Sequence, residues 1–100
     1  MAKDKEKTKV IFRQWVYGCQ IIALFPEIAT DTLGYNCQSY MHVGQHSAAS
    51  PNIVEDTKPA ILEDGAVKKL IKELTELGYN LKIIKRFRYS HQKTRMATYN

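Results

Sequence analysis

Ten residues, Cys37-Gln-Ser-Tyr-Met-His-Val-Gly-Gln-His46, hold two of the chain's three histidines and one of its two cysteines. Imidazole and thiol are the side chains that titrate or attack near neutral pH, so any chemistry is expected here first. Cys19, Cys37, His42 and His46 form a two-cysteine, two-histidine set of a kind zinc accepts. Their spacing argues against a shared ion. There is no Cys-x-x-Cys knuckle, and on an extended strand His42 and His46 share a face about 13 Å apart. One ion would need a sharp bend at Gly44. The expectation is no metal and no cofactor, with a small His/Cys metal-binding protein as an alternative.

Nucleophilic catalysis finds little more. Cys37 and His42 differ by an odd number, which sends them to opposite faces of one strand. Ser39, Ser47 and Ser50 lie in no Gly-x-Ser-x-Gly elbow, and no glycine-rich phosphate loop occurs. A single cysteine of this kind behaves more as a small buried hydrophobe than as a nucleophile. The chain reads as non-enzymatic.

The elements that must position these residues follow from periodicity. One hundred residues, 44% hydrophobic and 25% charged, suit one small globular domain. Lys9–Tyr17 is rich in β-branched and aromatic types and reads as a strand; Tyr17-Gly18 turns it into a second, Gln20–Phe25, stopped by Pro26. That apolar run fits a strand buried on both faces. Residues 27–36 are turn-forming, and Cys37–Gly44 reads as a third strand. Gln45–Lys58 is a long polar connection.

Val67, Leu70, Ile71, Leu74 and Leu77 then make one stripe of an amphipathic helix, with Glu63 and Asp64 at its start and Gly78 as its stop. Tyr79–Phe87 alternates as a fourth strand. The order β-β-β-α-β predicts an α+β fold: a small, mostly antiparallel four-stranded sheet with one helix on one face. Residues 1–8 read as a disordered tail, 9–87 as the domain and 88–100 as a basic, weakly ordered tail. An open sheet edge leaves an edge-paired dimer open.

No apolar run approaches a membrane span of roughly 18 residues, and residues 1–9 alternate basic and acidic groups with no apolar core of a signal peptide. Two cysteines are too few for a disulfide scaffold, so a cytoplasmic chain with reduced thiols is expected.

The net charge of +5 is unevenly spread. From Val10 to Ala66 only Arg13 and Lys58 oppose six carboxylates, whereas from Val67 onward nine basic residues face Glu73 and Glu76. Lys82, Lys85, Arg86 and Arg88, with Phe87 and Tyr89 among them, are the candidate nucleic-acid contacts: cations neutralise phosphates while rings stack on bases. The alternative use of such residues is to guard an edge strand against aggregation. A different reading, a protein-interaction or inhibitor module, would use the 45–58 loop with Tyr40, His42, Gln45 and His46. The primary expectation is a binding protein acting on nucleic acid or on a nucleic-acid-handling protein.

Ile22-Ala-Leu-Phe-Pro-Glu27, Gly34, Cys37, Ser39-Tyr40, His42-Val-Gly-Gln-His46, Thr57-Lys-Pro-Ala60, Leu77-Gly-Tyr79 and Leu81 to Arg86 together resemble a family of small uncharacterised proteins encoded by gut bacteria and their phages. Cys19 lies outside that pattern. The resemblance implies a compact module from mobile or host-associated genomes and no mechanism.

Overall fold

The computed structural model describes residues 7–18, 20–41 and 46–97. Strands β1 (Thr8–Trp15) and β2 (Ile21–Ala29) form the expected hairpin, with Ile11 opposite Leu24 and Arg13 opposite Ile22. Next come β3 (Cys37–Tyr40), β4 (His46–Ala49), a 3-10 segment (Pro51–Glu55) and β5 (Thr57–Pro59). Helix α1 (Gly65–Glu76), strand β6 (Leu81–Ile84) and helix α2 (Tyr89–Ala97) complete the chain. The class is α+β as expected, but the sheet has six strands rather than four, and two α-helices accompany it. The polar connection at 45–58 is the main source of the difference. Its strands β4 and β5 have four and three residues, too few to declare an alternation.

Sheet order is β4-β3-β2-β1-β5, and β6 joins the same edge of β1 as β5 does. β6 pairs in parallel with Thr8–Ile11, while β5 pairs antiparallel with Arg13–Trp15. One strand edge is thus shared end to end by two partners. Pro26 does not stop β2, contrary to expectation. The pairing of β2 with β3 shifts register between Phe25 and Ala29, and an irregularity of that kind tolerates a residue without an N–H.

Alternation along β1 and β2 sends their side chains to two cores. Val10, Phe12, Ile21, Ala23 and Phe25 face α1, which inserts Val67, Leu70 and Leu74. Each valine, leucine, isoleucine or phenylalanine among them stabilises by roughly 1.5–3 kcal/mol on full burial. Ile11, Ile22, Leu24, Cys37 and Ala49 form the second core on the opposite face, against Ile53, Ile84 and Phe87. The sheet therefore buries both faces, where one was expected. Asp64 caps α1, its Oδ1 accepting from the Ala66 N–H at 2.9 Å, and Gly78 (φ 105°) follows its end. Among the described residues no helix is long and apolar enough to cross a membrane.

Of the residues expected as a weakly ordered tail, 88–97 are ordered. Helix α2 packs on β2 and buries His91 and Arg95, one turn apart on one face. The Arg88 N–H donates to His91 Nδ1 at 2.9 Å while the His91 N–H donates to the Arg88 carbonyl at 3.0 Å. The first bond is the return half of a capping box, with histidine where glutamate or glutamine is usual; the second is a backbone turn bond, and the Arg88 side chain takes no part. Arg95 Nε donates to the Gly34 carbonyl at 3.0 Å and its Nη1 to the Pro26 carbonyl. The domain accordingly extends to Ala97.

Two expectations follow for this helix. Arg95→Met keeps a long side chain but strands two buried carbonyls, and should lower the unfolding free energy by about 2 kcal/mol. Denaturant unfolding checks it; an unchanged or raised value would mean that desolvating the guanidinium costs more than its bonds return. His91 has a pKa below its ordinary 6.5, first because it is buried, with Glu27 pulling upward and Lys9, Arg95 and Arg88 pushing further down. The unfolded chain then takes up the proton first. Stability is complete above about pH 6.5 and falls as pH drops below it. Melting temperatures at about pH 7.5 and pH 5 should drop less between them for His91→Asn than for the native chain. Equal drops would contradict the assignment.

Candidate anion-binding edge and groove

β6 lies at the sheet's edge, and the basic residues sit on it and just beyond it. Lys82 pairs in register with Lys9 of β1; Lys85 and Arg86 follow the strand directly; Arg88 stands at the entrance to α2. All four are exposed, and none of their side chains forms an ion pair or hydrogen bond with a described residue. Lys9 instead pairs with Glu27 at 3.2 Å. On α2, Lys93 lies 5.1 Å from the centre of the Tyr89 ring, which is 72% exposed. Helix spacing puts this cation and this ring on one surface.

Beside this run is a groove of about 840 Å³. It opens where β1 hands its edge from β6 to β5. Ile11 and Phe12 line it from β1; Pro59, Ala60, Ile61 and Leu62 from β5 and the segment after it; Ile83, Ile84 and Phe87 from the other side. The Ala60 N–H still reaches the Phe12 carbonyl at 3.1 Å, which keeps the segment after β5 against β1. Lys85, Arg86 and Arg13 supply the positive groups of the lining, and Glu63 the one carboxylate. Arg13 is held by Nε to Thr57 Oγ1 at 3.0 Å and by Nη2 to the carbonyls of Thr57 and Val54 at 2.7 and 3.1 Å. Burial moves its pKa down from the ordinary arginine value.

Of the four candidate basic residues, the groove gathers Lys85 and Arg86; Lys82 and Arg88 flank them outside it. Sequence reasoning missed Ile61 and Leu62. Their signal was an apolar pair lying ahead of the helix start at Asp64, outside the stripe that α1 buries.

The histidine segment is arranged differently. Tyr40, expected as contact surface, is buried in the core beneath α1, and its ring meets the exposed His46 edge-on at 4.8 Å. His46 Nε2 lies 3.0 Å from the Tyr79 hydroxyl, and Tyr79 stacks on Phe25 with ring centres 5.0 Å apart. These contacts make His46 part of a cover over the first core. His42 and Gln45 lie outside the described residues, as does Cys19.

Cys37 belongs to the second core, on the other face of the sheet from the Tyr40–His46 contact, so it and His46 do not converge on one ion. Among the described residues no three histidine, cysteine or carboxylate side chains gather as a metal site. Burial pushes the Cys37 thiol up to about 11, which keeps it protonated and inert at neutral pH.

No protein-family model, curated protein or solved structure matches this chain.

Proposed function

We propose that this chain is a cytoplasmic, non-enzymatic binding protein whose partner is single-stranded nucleic acid. One observation carries the reading: Lys82 on edge strand β6 and Lys85, Arg86 and Arg88 in the segment leading from it to α2 are exposed and unclaimed by any described carboxylate. Each such cation releases counterions when it meets a phosphate, a gain that needs no catalytic group and no base-specific geometry. Tyr89 adds a ring face beside the run, and base stacking on such a ring contributes about 1–3 kcal/mol. The resemblance to small proteins of gut bacteria and their phages is in keeping with a role on a mobile element's nucleic acid.

The test is capture of the tagged chain's partners from its native cells, with and without nuclease. The proposal expects the captured material to disappear on nuclease treatment and on raising the salt. A single protein retained through both treatments would contradict it and favour an interaction module instead.

A further inference from the structure

We propose that the groove between β5 and β6 is a binding site for a free fatty carboxylate, its acyl chain along the apolar lining and its head group at Lys85, Arg86 and Arg13. This goes beyond the nucleic-acid reading, since it depends on aliphatic residues that a phosphate backbone does not use.

Three observations lead to it. First, four of the exposed large apolar side chains line this one groove: Val54, Ile61, Leu62 and Ile83, with 37–64% of their surface open to water. Scattered apolar residues on a surface are ordinary, but a gathered patch rimmed by polar groups marks a binding site. Second, the groove's size of about 840 Å³ lies within the range of pockets that hold small molecules, roughly 300–1,000 Å³. Third, its charge has a sign. Three cations face one carboxylate, Glu63.

Arg13 is the best organised of the three. Its three bonds to Thr57 and Val54 fix the guanidinium plane and leave Nη1 without a described partner. A planar donor already held in place suits a carboxylate, because little side-chain freedom is lost on binding.

The nature of the lining selects the occupant. A nucleobase wants a ring to stack on, yet Phe12 is only 4% exposed and Phe87 is half-buried. Isoleucine, leucine, valine and proline offer contact to methylenes instead, each methylene burying for about 0.8 kcal/mol. A cationic amphiphile would meet the same lining with the wrong charge at the mouth.

The experiment is an amide-resolved NMR titration of the full chain with decanoate below its micelle concentration, beside decyltrimethylammonium. Decanoate should give saturable shifts confined to residues 59–63 and 83–87, and decyltrimethylammonium should bind at least tenfold more weakly. Ile61→Asn, at a position 64% exposed, should fold normally and weaken decanoate at least tenfold while leaving oligonucleotide binding unchanged, since it adds no charge. Lys85→Glu with Arg86→Glu should weaken both ligands. The proposal is overturned by an absence of saturation at millimolar decanoate, by equal affinity for the two amphiphiles, or by binding only to micelles or vesicles. A parallel loss of decanoate and oligonucleotide binding in Ile61→Asn would also overturn it. Decanoate binding without any oligonucleotide binding would leave this site standing and remove the nucleic-acid reading alone.

Discussion

Gly34→Ala will lower the unfolding free energy by about 3 kcal/mol or more and loosen helix α2 from the sheet, whereas Gly18→Ala will cost only about 1 kcal/mol. Both glycines have left-handed backbones, with φ of 75° at Gly34 and 87° at Gly18. An alanine pays roughly 1–2 kcal/mol for that conformation at either place. The surroundings separate them. A Cβ at Gly18 would meet nothing within 4 Å, while one at Gly34 would lie 2.7 Å from the Met96 backbone nitrogen and 2.8 Å from its Cα. Backbone cannot rotate away as a side-chain end can, so the helix or the loop must move.

That loop has little slack, because both Asp31 carboxylate oxygens accept from it: Oδ1 from the Tyr35 N–H at 3.0 Å and Oδ2 from the Asn36 N–H at 2.9 Å. Moving the helix would break the Arg95 bond to the Gly34 carbonyl. Denaturant unfolding of the two variants, with amide exchange over 89–97, makes the comparison. Equal losses at the two glycines would show that α2 does not press on the loop. The consequence reaches the proposed function too, because α2 carries Tyr89 and Lys93 and begins directly after Arg88.

Much of the sheet was legible because its residues announce it. Val10, Ile11, Phe12 and Trp15 mark β1, Gly18 marks the turn, and the Val67–Leu70–Leu74 stripe marks α1 between Asp64 and Gly78. The missed elements share a cause. β4 and β5 are shorter than one readable alternation, and they form because β3 and β1 present edges to them. Helix α2 is buried through His91 and Arg95, residue types that default to solvent, and its start is signed by Arg88 and His91 instead of serine or aspartate with glutamate.

The site was legible only in part. Charged residues at a strand edge are exposed by default, so Lys82, Lys85, Arg86 and Arg88 could be named as surface. Tyr40 carries no such signal, because its side depends on which way β3 is paired. The groove could not be read at all. It exists because a parallel and an antiparallel strand share one edge of β1, a relation between residues 8–15, 57–59 and 81–84 that no local pattern carries.

The second large effect concerns binding. Four phosphate contacts on a single strand predict that log affinity falls against log salt with a slope of about −2.8, from about 0.7 per phosphate. Lys85→Glu with Arg86→Glu removes two of them, halving the slope to about −1.4, and sets two carboxylates against the phosphates. Such like-charge contacts cost several kcal/mol, so affinity should fall beyond about a hundredfold. Both side chains are exposed and free of described partners, so the unfolding midpoint should stay where it is.

The most direct measurement is therefore a fluorescence-anisotropy titration of a short labelled single strand at several salt concentrations, for the native chain and for this double variant. The native chain should bind saturably and with steep salt dependence, and the variant should lose that binding while still unfolding at the native midpoint. Native affinity in the variant, or binding indifferent to salt, would contradict the nucleic-acid reading.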